Sequence, residues 1–107
     1  MVEPVVIFIT TPDEETAAKI ARTLVEEKLA ACANIVKGVR SIYSWKGETC
    51  DDSECLMVVK TVLRNFDALS QRVAELHPYE VPEIIAVPVV GGHKPYLLWL
   101  EENTRLA

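Results

Sequence analysis

The sequence predicts an α+β fold made of two split βαβ units, with a short helix appended at the C-terminus. Two observations support this fold class. Apolar runs of strand length and two amphipathic helical stripes follow one another in the order strand, helix, strand, strand, helix, strand. The chain has 107 residues, of which 50% are apolar and 25% charged, which suits one core and leaves no room for a second. We therefore expect a single domain over residues 1–107.

The first strand and the first helix are predicted from the N-terminal part of the chain. Residues 4–10, PVVIFIT, form a β-branched and aromatic run between prolines, which indicates a strand buried on both faces. Thr11, with Pro12 next and Glu14 three residues on, matches a capping box, so we expect a helix to begin there. Its predicted apolar face contains Ala17, Ile20, Ala21, Leu24, Val25 and Leu29.

The middle of the chain predicts two strands joined by a polar turn. Residues 31–45 are rich in β-branched and aromatic residues without a helical stripe, which favours one long strand. Gly38 interrupts the alternation of this strand and predicts a β-bulge. Residues 46–53, KGETCDDS, are polar and predict the turn. Residues 55–63, CLMVVKTVL, predict a third strand that is apolar on both faces.

The second helix is predicted to begin after Asn65, which is expected to cap it, and to end at His77, because Pro78 cannot continue a helix. Its apolar stripe is Phe66, Leu69, Val73 and Leu76.

The C-terminal part predicts one more strand and one more helix. Residues 83–90, EIIAVPVV, form the fourth strand, and Pro88 favours an edge position because proline cannot donate to a ladder. Two glycines then turn the chain, and residues 96–103 predict a short, mostly apolar helix packed against a neighbour.

The predicted order of elements leaves one face of the sheet without a cover. Right-handed crossovers place strands one and three in the centre of an antiparallel sheet, with the first two helices on the same face. The third strand is apolar on the opposite face too, which would expose an unusually large hydrophobic patch in a monomer. We therefore expect another copy of the same chain to cover that face.

Charge and composition exclude several classes of partner. The net charge of −5, with no basic cluster, argues against nucleic acid, and an RNA-recognition module would also need paired aromatics on the central strands. The N-terminal residues, MVEPVVIFITTP, lack the basic segment of a signal peptide, and no apolar run reaches the roughly 18 residues that span a membrane. We therefore expect a cytoplasmic protein. Cys32, Cys50 and Cys55 form no CxxC pair, so no disulfide framework is expected.

Five short blocks of the sequence closely resemble the CutA family, the divalent-cation tolerance proteins. In order they are LAACANI (29–35), SIYSWKG (41–47), KT (60–61), HPYEVPEI (77–84) and YLLWLEE (96–102). The resemblance covers essentially the whole chain. It implies a ferredoxin-like fold, a compact homotrimer whose long hairpins pair between subunits, and an architecture shared with the PII signalling proteins. It also implies a role in tolerance to copper and other divalent cations.

His77 and Glu80 are the candidate metal ligands. Some members of the family that the chain resembles bind copper through a cysteine late in the first strand and paired histidines before PY. The corresponding positions here are Ile9 and Leu76, so only His77 keeps a ligand of that pattern. Imidazole suits copper or zinc, and the Glu80 carboxylate three residues on would fill a second position. We predict weak binding of copper or a related divalent cation, with helix capping by His77 as the alternative.

The resemblance also places aromatic residues and two charged residues near a cleft between subunits. Aromatic walls with a few fixed charges are typical of a small-ligand pocket, although interface packing explains the same residues. As an alternative function, the cleft would make the protein a PII-like signalling or scaffold module that takes a small anionic molecule or a protein tail. The residues of this predicted cleft are Tyr43, Trp45, Lys60, Tyr79, Glu83, Tyr96 and Trp99.

Catalysis is not expected. An enzyme would need an activated nucleophile, and Cys32 with His77 is the pairing that the composition offers. Cys32 lies in an apolar strand, where burial should make its thiol inert. We therefore predict a non-enzymatic protein without an organic cofactor.

Overall fold

A computed structural model describes residues 3–105, and within them the order of elements is the predicted one. The elements are β1 (Pro4–Thr11), α1 (Glu14–Glu26), β2 (Cys32–Trp45), β3 (Glu48–Val62), α2 (Phe66–Leu76), β4 (Ile84–Pro88) and α3 (Lys94–Glu102). A 3-10 turn over Leu63–Asn65 connects β3 to α2.

The strands form one antiparallel sheet in the order β2-β3-β1-β4, so β1 and β3 are central, as predicted. The short strand β4 lies at one edge beside β1, with Pro88 opposite Val5, which confirms the edge position expected for this proline. The long strand β2 forms the other edge. A β-bulge between Val36 and Val39, with Gly38 at a φ of 75°, confirms the predicted irregularity.

The core lies between the sheet and the first two helices, which pack on the same face. Alternate residues of β1 point to these helices, and Ile7 and Ile9 are completely buried there. We call this the covered face. The other buried residues of this core include Val5, Ile20, Leu24, Met57, Val59, Leu69 and Val73.

The opposite face, which we call the open face, is only partly covered. At one end α3 lies over it, where Leu100 packs with Ala31 and Val62. Beyond α3, Phe8 is half-buried, and its β4 partner Ile85 is 52% exposed. The expectation of a bare face is therefore right for most of this surface and wrong for the end under α3.

Of the two predicted helix caps, one is wrong and the other is right in position only. Asp13, not Thr11, caps α1, because its carboxylate accepts a hydrogen bond from the Thr16 N–H at 2.7 Å. Thr11 is the last residue of β1 and donates to the Asp13 carbonyl instead. Asn65 does occupy the N-cap position of α2, but its side chain is buried and makes no capping hydrogen bond to the helix.

The predicted polar turn over residues 46–53 is also wrong, because β3 begins at Glu48. Only Lys46 and Gly47 connect the two long strands, and both have positive φ, 50° and 82°. These values fit a two-residue hairpin turn of type I′, in which glycine at the second position is favoured. The polar residues after it continue the hairpin as paired strand.

Candidate functional site

A cleft of about 640 Å³ lies between the β2–β3 hairpin and the segment that follows α2. We call it the aromatic cleft, since three aromatic side chains contribute to its walls. Its lining residues are Thr10, Ser41, Ile42, Tyr43, Trp45, Glu54, Pro78, Tyr79, Glu80, Val81 and Glu83.

The hairpin supplies one wall because of strand periodicity. Residues two apart on a strand share a face, so Tyr43 and Trp45 lie on the same side of β2. On β3, Asp52 is paired with Ser41, and Glu54 is two residues further along. Aromatic rings and carboxylates are therefore placed together on this part of the hairpin.

His77 holds the second wall in position. Its Nδ1 accepts a hydrogen bond from the Tyr79 N–H at 3.1 Å, so Nε2 carries the proton and donates to the Thr10 carbonyl at 2.8 Å. The side chain is buried, and its ring centroid is 4.7 Å from that of Tyr79. Pro78 and Pro82 keep the following segment out of a helix. The histidine thereby links the end of α2 to the end of β1.

Each of the two tyrosines of the cleft donates its hydroxyl to a carboxylate. The Tyr79 hydroxyl donates to Glu54 at 2.5 Å, and burial, followed by this bond, raises the pKa of Tyr79 well above its usual value. The Tyr43 hydroxyl donates to Asp52, which raises the pKa of Tyr43 to about 12. A phenol bonded to an anion resists losing its proton, since the phenolate would face a like charge.

The charge of the cleft is negative. Glu54, Glu80 and Glu83 line it, and no Lys, Arg or His is found among its described lining residues. One cation lies at its rim: Lys46 Nζ is 3.8 Å from Glu80 Oε2 and 5.5 Å from the centroid of the Trp45 ring. This geometry combines an ion pair with a cation–π contact.

Within one chain, the predicted ligand residues fall into two groups. Tyr43, Trp45, Tyr79 and Glu83 line the aromatic cleft. Lys60 on β3 is paired with Cys32 on β2 and with Val6 on β1. Val6 precedes the cleft residue Thr10 by four positions on β1, so Lys60 lies about 13 Å from the cleft along the sheet.

The remaining two predicted cleft residues lie on α3. The rings of Tyr96 and Trp99 pack against each other there, tilted by 40° with centroids 5.4 Å apart. Burial, followed by the nearby Cys32, raises the pKa of Tyr96. Cys32 belongs to the same end of the sheet as Lys60, so Lys60, Tyr96 and Trp99 form the second group. A single chain does not bring the two groups together.

The candidate metal ligands are not assembled around a common point within one chain. Both ring nitrogens of His77 are hydrogen-bonded, and the exposed Glu80 is paired with Lys46. Across residues 3–105, no group of three or more His, Cys, Asp or Glu side chains is placed to hold a metal ion.

Sequence reasoning missed Asp52, because residues 46–53 were assigned to a turn, and Glu54, because it fell between that turn and the strand predicted from residue 55. The signal that would have found them is the Lys-Gly pair after Trp45, since a two-residue turn leaves the following acidic residues in strand register.

None of the helices within residues 3–105 combines the length and apolar character that crossing a bilayer would require.

Comparison with known proteins places the chain in one family. Residues 5–103 match the family described as CutA1 divalent ion tolerance protein. The chain is 56% identical over 99 residues to the divalent-cation tolerance protein CutA of Thermus thermophilus, covering 92% of this chain and 96% of that protein. The crystal structure of CutA1 from Oryza sativa superposes with a TM-score of 0.95 at 42% identity, covering 99% of this chain and 97% of that one.

A plant relative differs in length. The chloroplastic protein CutA of Arabidopsis thaliana is 44% identical over 104 residues, which is 97% of this chain and 57% of that protein. The chain thus spans nearly all of the Thermus protein and little more than half of the plant one. Because the plant relative is named chloroplastic, a cytoplasmic location stays a prediction. The match over residues 5–103 and these identities show that the chain belongs to the CutA1 divalent ion tolerance protein family.

Proposed function

We propose that this protein acts without catalysis in tolerance to divalent cations, as a homotrimer that binds copper or a related cation weakly. The observation that supports cation binding best is the lining of the aromatic cleft, where Glu54, Glu80 and Glu83 stand without a lining Lys, Arg or His among the described residues. The names of the relatives point to the same class of ligand.

The cation would bind at the mouth of the cleft, with Glu80 as the principal ligand. Glu80 is exposed, and its present partner Lys46 is also exposed, so an incoming cation displaces only a weak surface ion pair. His77 joins the site if its ring leaves the Thr10 carbonyl. Since that hydrogen bond must first break, we expect weak binding. We also expect the carboxylate oxygens to determine which metal ions bind best.

A trimer is supported by the open face and the two sheet edges. The apolar surface around Phe8 continues onto both edge strands and is exposed there. The exposed residues are Val36 on β2 and Ile85 and Val87 on β4. Burying such residues is favourable, and edge strands offer unpaired backbone groups for pairing between chains. Assembly would also bring Lys60, Tyr96 and Trp99 of one subunit toward the aromatic cleft of the next, as the family resemblance implies.

Calorimetric titration with Cu(II) at pH 7 tests the metal proposal. Chelator-stripped wild type should bind in the micromolar range or more weakly, and Glu80→Gln should weaken binding several-fold because it removes the ligand charge. Glu102→Gln, at an exposed position on α3, serves as the matched control and should bind like wild type. His77→Ala shows whether the ring contributes. Equal binding by wild type and Glu80→Gln would contradict this placement of the ion.

A PII-like sensor or scaffold is the second candidate function. The aromatic walls of the cleft favour it, because a bare metal ion has no need of Tyr43 and Trp45. Trp45→Leu separates the two candidates: it should leave Cu(II) binding unchanged and abolish binding of a molecule held by the ring.

A further inference from the structure

We propose that the aromatic cleft binds a small organic cation, an alkylated ammonium group held by the rings of Tyr43, Trp45 and Tyr79 and by the carboxylates of Glu54 and Glu80. This proposal goes beyond divalent-ion tolerance and does not depend on it, because aromatic walls serve an organic cation and are not ligands for a metal ion.

The carboxylates of the cleft and the occupied hydroxyls of its two tyrosines disfavour an anion as the ligand. The hydroxyls of Tyr43 and Tyr79, which would otherwise offer donors to an anion, are already donated to Asp52 and Glu54. An anion entering the cleft of one chain would meet three glutamates and no lining cation among the described residues. The Lys60 that trimer assembly would bring from the next subunit adds one cation, which still leaves the carboxylates in excess. The lining therefore opposes a small anionic molecule, which was one of the two ligands considered for the alternative function, and favours a positively charged one.

Glu54 has one carboxylate oxygen without a protein partner at the cleft. Glu54 is only 7% exposed, and one of its two carboxylate oxygens accepts a hydrogen bond from the Tyr79 hydroxyl. In the described part of the chain, no Lys, Arg or His lies within 4.0 Å of it, and its second oxygen receives no hydrogen bond. This second oxygen is accessible, since no side-chain oxygen of the described residues is both buried and without a hydrogen bond. Glu54 lines the cleft, so a cation there would meet a carboxylate oxygen that is free to pair with it.

Lys46 shows that the rim already accommodates an ammonium group. Its Nζ lies 5.5 Å from the centroid of the Trp45 ring and 3.8 Å from Glu80 Oε2, which is the environment we propose for the ligand. Lys46 therefore competes with a cationic ligand for the outer part of the cleft. Removing its charge should tighten the binding of an organic cation, whereas it would weaken the binding of an anion.

The size of the cleft also fits an organic ligand. A volume of about 640 Å³ lies within the roughly 300–1,000 Å³ of small-molecule pockets. An alkylated ammonium ion spreads its charge over methyl and methylene groups, so it loses less hydration on entry than a metal ion and still attracts the ring faces.

Choline chloride and its neutral isostere 3,3-dimethyl-1-butanol test the role of the charge. Both are titrated into the full chain by calorimetry at low ionic strength, with EDTA present so that no divalent ion bridges the carboxylates. Choline should bind about tenfold more tightly than the alcohol, because only the cation gains the cation–π and carboxylate attraction. Equal binding of the two, or no binding of choline, would overturn the proposal and leave Cu(II) binding to be judged by its own titration.

Lys46→Asn is the decisive variant. Asparagine tolerates the positive φ of 50° at this turn position, so the hairpin is retained while the ammonium is removed. Choline affinity should rise about threefold, in the range expected when one exposed cation–π contact is vacated. An unchanged or lower affinity would contradict the proposal, as would citrate binding to wild type that weakens in this variant.

Glu54→Gln tests the contribution of the Glu54 charge. Its amide oxygen can still accept from Tyr79, so the wall is preserved while the charge is lost. Choline affinity should fall about fivefold to tenfold, as expected for the loss of one charge near a partly buried cation. Glu102→Gln is the matched control and should leave choline affinity unchanged. If Glu54→Gln fails to fold by circular dichroism, the sign of the Lys46→Asn effect decides alone.

Discussion

The two faces of the sheet have similar apolar strand residues but different surroundings. On the covered face, Ile7 and Ile9 are fully buried under α1 and α2. On the open face, Phe8 is half-buried, and Ile85 and Val87 are 52% and 39% exposed. The strand sequences therefore supply more apolar surface than the helices of one chain can cover. This difference separates residues that fold the chain from residues that are available to hold chains together.

The largest expected effect comes from a charge placed on the open face. Ile85→Lys should abolish assembly, because a trimer interface would have to bury an unpaired ammonium group. Light scattering at micromolar concentration should show a trimer for wild type and a monomer for the variant. The matched control is Val25→Lys, which should remain trimeric. Val25 is 40% exposed and lies on α1 in a groove beside Ala33 and Ile35 of β2, away from the open face.

Two outcomes would contradict this division of the molecule. A monomeric wild type would mean that the open face is not covered by other copies. A trimeric Ile85→Lys together with a monomeric Val25→Lys would place the interface on the helices instead.

Two adjacent valines of β3 compare the faces directly. Val59 is completely buried on the covered face, and Val58 is half-buried on the open face. Val59→Ala should lower the free energy of unfolding by about 2–3 kcal/mol through lost burial and a residual cavity, and Val58→Ala by less than about 1 kcal/mol. Urea unfolding should be measured in the Ile85→Lys background, so that assembly does not contribute. Equal losses would show that the open face is packed within one chain.

The Asn65 side chain connects the helical layer of the covered face to the helix of the open face. Its buried side-chain amide donates to the Thr104 carbonyl at 3.1 Å and to the Lys28 and Leu29 carbonyls at 3.4 Å. It thus joins the segment after α3 to the segment after α1. Asn65→Leu should cost about 1–3 kcal/mol, because these carbonyls lose a buried donor.

Thermal or urea unfolding measures this loss. Asn103→Ala removes a single donor to the Trp99 carbonyl at a half-buried position and should cost less. A loss for Asn65→Leu no larger than that of Asn103→Ala would contradict this connecting role.

The sequence predicted the order of elements, the central strands and the covered core, because those depend on periodicity and on local breakers such as Pro78. The bulge at Gly38 and the edge position of Pro88 were predictable for the same reason. The buried role of Asn65 was not, since its partners are 36 to 39 residues away in sequence. Long-range partners leave no local pattern.

The candidate site was predictable only in part. Tyr43, Trp45, Tyr79 and Glu83 were expected together and do line one cleft. Glu54 was missed because its role depends on strand pairing across the hairpin. Lys60 was expected at the cleft but lies away from it on the sheet of one chain, because strand register and not residue type determines its position. The hydrogen bonds that occupy both nitrogens of His77 likewise come from the meeting of β1 and α2.

The smallest expected effect concerns the hairpin, which extends beyond the covered face. The Tyr43 hydroxyl donates to Asp52, and this bond raises the pKa of Tyr43 to about 12. Because the neutral phenol is the favoured form, the contribution of the bond to stability is complete below about pH 10 and is lost as the pH rises toward 12. Asp52→Asn should return the pKa of Tyr43 toward its ordinary value near 10. Phenolate absorbance during alkaline titration measures the shift.

Asp51→Asn is the control for this titration, because the Asp51 carboxylate binds Arg40 instead of a phenol, with oxygens 2.9 and 2.6 Å from the guanidinium nitrogens. It should leave the tyrosine titration as in wild type. If Asp52→Asn also titrates like wild type, the phenol is not bonded to Asp52 in solution. Its donor would then be free, and only Tyr79 and the glutamates would disfavour an anion in the aromatic cleft.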